Sequence, residues 1–409
     1  MKRLLRISFN QAIFSLIPIL SWIMLGIVLD KNISNVFSLT YPIQFIWAML
    51  VSIFGTGANI CREKDKKENA VLSGMTLGII FGFFIFGFLV VNIKNYIEFM
   101  HMDYDIYKEF AIYSIIQLYI QLVFGLVMEK LYFEGKEKLA NKYMIIMNLL
   151  NFSVLIGLSL LTKNKAIIVI YTLLTIFIFT VIVTLKQYKK FKFEIDIIKC
   201  IKYESVSISE KILFFFTYLF GYNNALAFGE KYITALNFAA LITDTQWDAF
   251  EAIKTVAKID ISKGVFNYKE HKKNSYNLLA LLLFTTFIMF ILFYKNYQLS
   301  IFITMIYLGV EVVDFLVEPM YALKICYLQL MDGFKIKVTS NKIAVTGIRA
   351  IISFLNSPFC TAIGQAFAMI EQFIVINFIF YRNFKINDNG EIIKNMKSYS
   401  VPSNSTGIK

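Results

Sequence analysis

The chain has 409 residues, of which 57% are hydrophobic and 17% are charged. Ordinary soluble domains contain about 45–50% apolar and about 25% charged residues, so this composition excludes a water-soluble protein and predicts an all-α membrane protein in the lipid bilayer. The net charge of +13 comes from Lys and Arg residues that lie between the apolar segments, which argues against nucleic-acid binding.

Twelve segments, taken in chain order, are long and apolar enough to cross a bilayer as helices. About 20 apolar residues are required, because only a helix satisfies its own backbone hydrogen bonds in hydrocarbon. The predicted spans are residues 7–29, 36–57, 70–92, 109–131, 143–162, 166–185, 205–228, 232–256, 275–294, 298–320, 342–357 and 359–381. The first segment is too long for a signal peptide and lacks a cleavage pattern, so we expect it to be retained as a span.

Positive charge alternates from one connection to the next. Connections predicted to face the cytoplasm hold 29 Lys and Arg residues, whereas the opposite connections hold 7. Cytoplasmic loops carry this excess in membrane proteins, so the alternation predicts twelve spans in the cell membrane with both termini cytoplasmic. We expect an N-lobe of six spans over 1–190, a cytoplasmic linker over 191–204, a C-lobe of six spans over 205–382 and a disordered cytoplasmic tail over 383–409.

Short features recur about 200 residues apart. Ala58 and Ala257 each begin an Ala-x-Ile before a basic loop, and Gly135 and Gly333 each follow an acidic residue, at offsets of 199 and 198 residues. Such a duplication predicts two parallel-related six-helix bundles that enclose a central cleft, where transporters of this construction bind substrate. Chance similarity between short basic loops is the alternative.

Ionisable residues inside a span are energetically costly, so each one is a candidate functional residue. Asp30 lies just past the outer end of the first span and is either an ion-binding carboxylate or a solvated loop residue. Glu210 lies near the start of the seventh span beside Lys211. It is either a titrating carboxylate or half of a pair that reaches the membrane surface.

The eighth span carries the most charge. Asp244, Asp248 and Glu251 recur at spacings of four and three residues, which places three carboxylates on one face of the helix. Mutual repulsion and desolvation both favour the protonated form, so at least one of them can exchange H⁺ or Na⁺. The alternative is that Glu251 pairs with Lys254 or Lys258 and that only Asp244 is buried.

The tenth span repeats this pattern with Glu311, Asp314 and Glu318, which line the second lobe or lie at its mouth. Pro319 follows them directly and can end the helix there. The four cysteines and two histidines show no spacing typical of a disulfide or a metal site, so no cofactor is predicted. No phosphate loop or catalytic constellation is found, so we do not expect an enzyme.

Three stretches resemble the multidrug and toxic compound extrusion (MATE) family of the multidrug/oligosaccharidyl-lipid/polysaccharide exporter superfamily. They are the run YPIQFIWAMLVSIFGTGANICREKDKKENA (41–70), the Gly135-Lys136 turn and the ALNF run at 235–238. The resemblance is low in identity, extends over most of 7–381 and fails in the tail. It implies twelve spans in equal halves with cytoplasmic termini.

The resemblance also suggests roles for single residues. Asp30 resembles the first-helix aspartate of the family, which is implicated in cation or proton binding, and Glu210 resembles a seventh-helix glutamate of one branch. The tenth-helix aspartate of that branch has no clear match here, since the counted position falls near Tyr321. Asp314 or Glu318 is expected to replace it.

Together these features predict a monomeric secondary active exporter. Na⁺ or H⁺, the expected coupling ion, would enter through carboxylates drawn from Asp30, Glu210 and Asp244, and a small organic, often cationic, substrate would leave the cell. The 41 Phe and 23 Tyr residues suit a cleft that binds such molecules, although lipid-facing aromatics explain them equally well. The alternatives are a flippase of lipid-linked saccharides in the same superfamily, and a non-transporting membrane protein with a carrier-like fold.

Overall fold

A computed structural model describes most of the chain. It covers residues 4–5, 8, 20–22, 24–29, 33, 35–134, 136–188, 192–262, 264–294, 299–331 and 333–395. Nearly all of these residues belong to helices joined by short turns, and the described strands form a single two-stranded hairpin.

In the first half, the helices from residue 36 onward follow one another with short connections. They are α1 (Val36–Val51), a π-helical segment (Ser52–Gly57), α2 (Ala58–Asp65), α3 (Ala70–Val91), α4 (Ile93–Phe99), α5 (Tyr104–Phe133), α6 (Glu137–Leu161) and α7 (Lys165–Leu185). The π-helical segment joins α1 to α2, so the three pieces form one continuous helical rod.

The helices of the second half are longer on average. They are α8 (Ile197–Ala227), α9 (Glu230–Ser262), α10 (Tyr268–Tyr294), α11 (Ile301–Leu330), α12 (Lys335–Ile352) and α13 (Cys360–Asn383), followed by strands β1 (Phe384–Ile386) and β2 (Ile392–Lys394). Several extend past the predicted spans toward their basic ends.

The second to twelfth predicted spans each coincide with a long helix, and only boundaries differ by several residues. The first predicted span, 7–29, lies mostly outside the described residues. Among the described helices, seven are long and apolar enough to cross a membrane, namely α1 with its continuation to Arg62, α3, α5, α6, α7, α10 and α13. The long helices α8, α9, α11 and α12 carry more charge, which keeps them outside that set.

Large apolar side chains cover the outside of the helices. Phe84 on α3 is 67% exposed, Ile170 on α7 is 60% exposed and Phe284 on α10 is 61% exposed. A soluble monomer rarely exposes so much contiguous apolar surface. These side chains instead match the hydrocarbon of a bilayer, and the chain is a multi-pass membrane protein.

Helices of each half pack mainly against helices of the same half. In the first half α5 contacts α1, α3 and α7, and in the second half α11 contacts α9 and α13. The main contact between the halves runs along α1 and α8. There Lys211 of α8 donates hydrogen bonds to the Ala48 carbonyl oxygen, at 3.2 Å, and to the Ser52 hydroxyl of the π-helical segment.

Helix α11 continues without interruption through Pro319 to Leu330. The expectation that Pro319 can end this helix is therefore wrong. Proline removes one backbone hydrogen bond, and neighbouring helices can compensate for that loss in a membrane bundle. The continuation places about three more turns of α11 beyond the acidic residues.

The tail begins with an ordered β-hairpin. The expectation of disorder is thus wrong for β1 and β2, whereas residues 396–409 lie outside the described part of the chain. The turn is closed by hydrogen bonds between Asn387 and Glu391, and Gly390 has a φ of +82°, a conformation that glycine adopts without strain. The hairpin is fastened to the start of α10, where the backbone N–H of Tyr268 donates to the Gly390 carbonyl at 2.8 Å.

Candidate ion-binding site

Helix α11 presents three carboxylates toward its neighbours. Glu311, Asp314 and Glu318 are spaced by three and four residues, so they lie on one face of the helix. That face packs against α9 and α13. Asp314 is 3% exposed and Glu318 is 5% exposed, which makes both of them buried acids.

Asp314 accepts hydrogen bonds from two neutral groups. The Tyr321 hydroxyl, two turns further along α11, donates to Oδ1 at 3.2 Å. The Gln365 amide of α13 donates to Oδ2. Among the described residues no Lys or Arg forms an ion pair with Asp314, so its direct partners are neutral dipoles, while the positive charge of Arg349 acts on it from a greater distance.

Glu318 and Glu311 have different partners. Lys254 of α9 forms an ion pair with Glu318, with 2.9 Å between Nζ and Oε1. The indole N–H of Trp247, also on α9, donates to Oε2 of Glu311 at 2.8 Å. Tyr321 interacts with Glu318 as well as with Asp314, whereas Lys254 and Trp247 each contact one carboxylate. Within the described part of the chain no three metal-binding side chains converge on one point.

Arg349 of α12 lies beside an aromatic cluster between the two halves. This cluster comprises Tyr41 and Phe45 of α1 with Phe214 and Tyr218 of α8, and the rings of Phe45 and Tyr218 are stacked with centroids 5.3 Å apart. The Arg349 guanidinium lies 5.4 Å from the Phe214 centroid and donates to the Tyr218 hydroxyl at 3.3 Å. The cluster thus accommodates a planar cation, here one supplied by the protein itself.

The remaining predicted site residues are not joined to this acidic cluster. Glu210 on α8 is half-buried beside Lys211, and no described hydrogen bond or ion pair links it to Asp314 or Glu318. Asp244 and Asp248 lie on α9, but their side chains are outside the description. Asp30 is also outside the described residues.

Several partners in the site were not singled out from the sequence. The sequence offered Lys254 or Lys258 as an alternative partner for Glu251, whose side chain is not described; Lys254 forms an ion pair with Glu318 of α11. Gln365 carries no sequence signal that distinguishes it from other polar residues in helices. Tyr321 was named only because the position of the family's tenth-helix aspartate falls near it. Lys254 carries no stronger signal, because the predicted span ends at residue 256 and a lysine at a span end can reach the membrane surface without an acidic partner.

Comparisons with known proteins identify the fold. No protein-family model and no curated protein sequence matches the chain. Among solved structures, an inward-facing conformation of a multidrug resistance MATE family transporter of the MOP superfamily superposes with a TM-score of 0.66, at 14% identity, over 92% of this chain and 97% of that one. The chain has the fold of these transporters.

Two further structures share this architecture. An outward-facing conformation of a multidrug resistance MATE family transporter gives a TM-score of 0.59 at 15% identity, over 93% of this chain and 95% of the other. A MOP superfamily transporter from Pyrococcus furiosus Vc1, described as having a binding pocket of reversed polarity that suggests a different function, gives 0.58 at 16% identity, over 92% and 95%. The MATE-like fold therefore extends over nearly the whole chain.

Proposed function

We propose that the chain is a secondary active exporter that moves small organic, often cationic, compounds out of the cell in exchange for Na⁺ or H⁺. The observation that carries this proposal is the buried Asp314, which neutral donors hold in the interior of a membrane protein. Glu318, one turn away, is a second buried carboxylate, and it forms an ion pair with Lys254.

A charged side chain in the membrane interior costs at least about 2.5–3.5 kcal/mol. Binding of a proton or a Na⁺ ion at Asp314 removes or compensates that cost. An ion that binds one arrangement of the helices more tightly than the other shifts the equilibrium between them by its differential affinity. The ion gradient then drives the cycle in one direction.

The aromatic cluster between α1 and α8 supplies a surface for the substrate. Arg349 already occupies it with a planar cation, and its buried Nε has no hydrogen-bond partner among the described residues. A buried donor without a partner marks a position that another group can fill. An organic cation would replace the guanidinium over Phe214, which links substrate binding to a movement of α12.

The fold supports export by movement of the two halves. Structures with this fold include inward-facing and outward-facing conformations of multidrug resistance transporters. The TM-score is 0.66 for the inward-facing one and 0.59 for the outward-facing one, so the described arrangement is nearer to the inward-facing one. Asp30, Glu210, Asp244 and Asp248 stay predicted members of the ion pathway.

The proposal is tested in proteoliposomes loaded with a fluorescent organic cation. A Na⁺ gradient and a pH gradient are imposed in separate experiments, and one of them is expected to accelerate transport. Asp314→Asn keeps the shape of the side chain and removes the charge, so it should slow gradient-driven transport more than about tenfold. Asp105→Asn, at an aspartate whose side chain is 86% exposed at the start of α5, is the matched control and should leave transport unchanged.

The outcomes separate the parts of the proposal. If neither gradient accelerates transport by the wild-type protein, the exporter function is wrong. If a gradient drives transport equally well in Asp314→Asn and the wild type, Asp314 is not the coupling residue. Glu210→Gln and Asp244→Asn, measured in the same assay, then decide whether the coupling carboxylates lie on α8 and α9.

A further inference from the structure

A cavity of about 540 Å³ opens among the basic ends of α10, α11 and α13 and is closed on one side by the hairpin. It is separate from the acidic cluster on α11, because Lys324 lies six residues beyond Glu318 and none of the three carboxylates lines it. All the helix ends around it belong to connections predicted to be cytoplasmic. The cavity therefore lies where lipid headgroups of the cytoplasmic leaflet or soluble molecules can reach it.

Lys324 forms the floor of the cavity and is only 3% exposed. Its ammonium donates hydrogen bonds to the Asn377 amide oxygen and, at 3.0 Å, to the Tyr381 hydroxyl, both on α13. Two aromatic rings, of Tyr381 and Tyr268, lie 4.2 and 5.8 Å from the nitrogen. No described carboxylate pairs with Lys324, so this buried cation is held only by dipoles and aromatic faces.

Two more lysines line the same cavity. Lys269 and Lys272 lie on the first turns of α10, and Lys269 donates to the Asp388 carbonyl oxygen of the hairpin at 2.6 Å. Within the described part of the chain, no Asp or Glu side chain lines the cavity. Three ammonium groups thus surround one space without a compensating negative charge, and their mutual repulsion is relieved when an anion enters.

We propose that this cavity is a binding site for a phosphate-bearing anion. Lysine binds phosphate as a compact point charge, and the Tyr381 and Asn377 side chains add polar groups that can orient the phosphate oxygens. Basic pockets between membrane helices on the cytoplasmic side are suited to phospholipid headgroups. A headgroup of an anionic phospholipid and a soluble phosphate ester share this chemistry. The proposal does not depend on transport.

The experiment measures binding to the purified full-length protein in detergent. Native mass spectrometry with added phosphatidylglycerol, and with phosphatidylcholine as the neutral comparison, tests the lipid source. Calorimetry with glycerol 3-phosphate tests the soluble source. We expect one phosphatidylglycerol to bind per chain. Lys324→Met and Lys272→Met should each lower the affinity for this lipid about tenfold or more, since each removes a charged contact.

Lys273→Met is the matched control. Lys273 is an exposed neighbour of Lys272 on the same helix and does not line the cavity, so its loss should leave binding unchanged. Lys324→Met removes a buried charge that has no acidic partner among the described residues, and Lys272→Met changes a half-exposed residue, so the second variant is informative even if the first fails to fold.

Binding of glycerol 3-phosphate with the same dependence on Lys272 and Lys324 would support the site and assign it to soluble phosphates. Equal binding by the wild type and both cavity variants in both assays would overturn the proposal.

Discussion

On α3 in the first half of the molecule, Gly74 and Gly82 allow close helix contact, whereas on α11 in the second half buried charges and amides join the helices. A Cβ on Gly74 of α3 would lie 2.4 Å from the Phe54 carbonyl oxygen, and one on Gly82 would lie 2.3 Å from a Leu122 methyl group. Gly309 and Gly347 in the second half have no neighbouring atom within 4 Å of the same position. Helix contact there depends on pairs such as Lys254 and Glu318.

The two kinds of helix contact differ in how strongly they depend on the charge of side chains. Close backbone packing changes little with the protonation of side chains, because it depends on shape and dispersion. Contacts between carboxylates, lysine and amides change whenever a proton or cation binds. If the chain is ion-coupled as proposed, we therefore expect the packing around α11 to respond to ions more than the packing around α3.

The largest expected effect comes from Lys254→Met, which leaves Glu318 buried without its cation. Breaking a buried ion pair by removing one partner costs about 3 kcal/mol, and we expect a corresponding fall in the melting temperature of the detergent-solubilised protein. The double variant Lys254→Met/Glu318→Gln should recover most of that loss, because no charge is then left alone. A single variant that melts like the wild type would contradict a stabilising role for the pair.

Gly74→Ala should have the next largest effect, since its methyl group meets the Phe54 carbonyl and the Ala58 side chain at 2.4 and 2.6 Å. Overpacking of this kind costs about 2 kcal/mol. The control is Gly87→Ala on the same helix, where an added Cβ has no neighbour within 4 Å. Equal melting temperatures for the two variants would show that α3 does not depend on close approach at Gly74.

Trp247→Phe removes the indole N–H from Glu311 and keeps an aromatic ring against Phe315, whose centroid is 4.4 Å from that of Trp247. Loss of a hydrogen bond to a charged group costs about 1.5 kcal/mol, again measured by thermal melting. The same change should cost less in a Glu311→Gln background, because the acceptor is then neutral. If both backgrounds lose the same stability, the indole acts by packing alone.

The smallest effect concerns Glu134, in the connection between α5 and α6 outside the membrane-spanning segments. Partial burial opposes its ionisation, but hydrogen bonds and charge from Lys130 and Lys136, both at 2.7 Å, outweigh burial and lower the pKa of Glu134 below its ordinary value of 4.5. Because the folded-state pKa is depressed, the stabilisation is present above about pH 4.5 and is lost as the pH falls through the folded-state pKa.

Glu134→Gln should therefore lower the unfolding free energy by less than about 1 kcal/mol at neutral pH, since such pairs near the surface are screened by solvent. The difference in melting temperature between variant and wild type should shrink when the pH is lowered to about 3. A difference that persists unchanged in acid would mean that the two lysines do not act through the charge of Glu134.

Much of the helical architecture follows from apolar length and charge alternation. Eleven of the predicted spans coincide with helices because a membrane permits few other ways to satisfy the backbone. The hairpin was not predicted, although its Asn389-Gly390 pair between short apolar runs is a recognised turn signal. The criterion for spans detects only apolar segments of about 20 residues, so it cannot detect two strands of three residues each.

The acidic cluster was predicted only in part. The spacing of Asp314 and Glu318 identified one helix face, since periodicity is local in the sequence. The partners Lys254 and Gln365 lie on α9 and α13, and their approach to the acidic face depends on how these two helices pack against α11. Tyr321 lies on α11 itself, two turns after Asp314. Spacing along one segment cannot specify that packing.

The hairpin ties together two helix ends of the second half. Besides the backbone bond from Tyr268 to Gly390, the side chains of Asn267 and Lys269 donate to the Asn389 and Asp388 carbonyls at 2.7 and 2.6 Å. The end of α13 is thus clamped to the start of α10, and separating them would break three hydrogen bonds at once. Any rearrangement within the second half would therefore move the end of α13 and the start of α10 together.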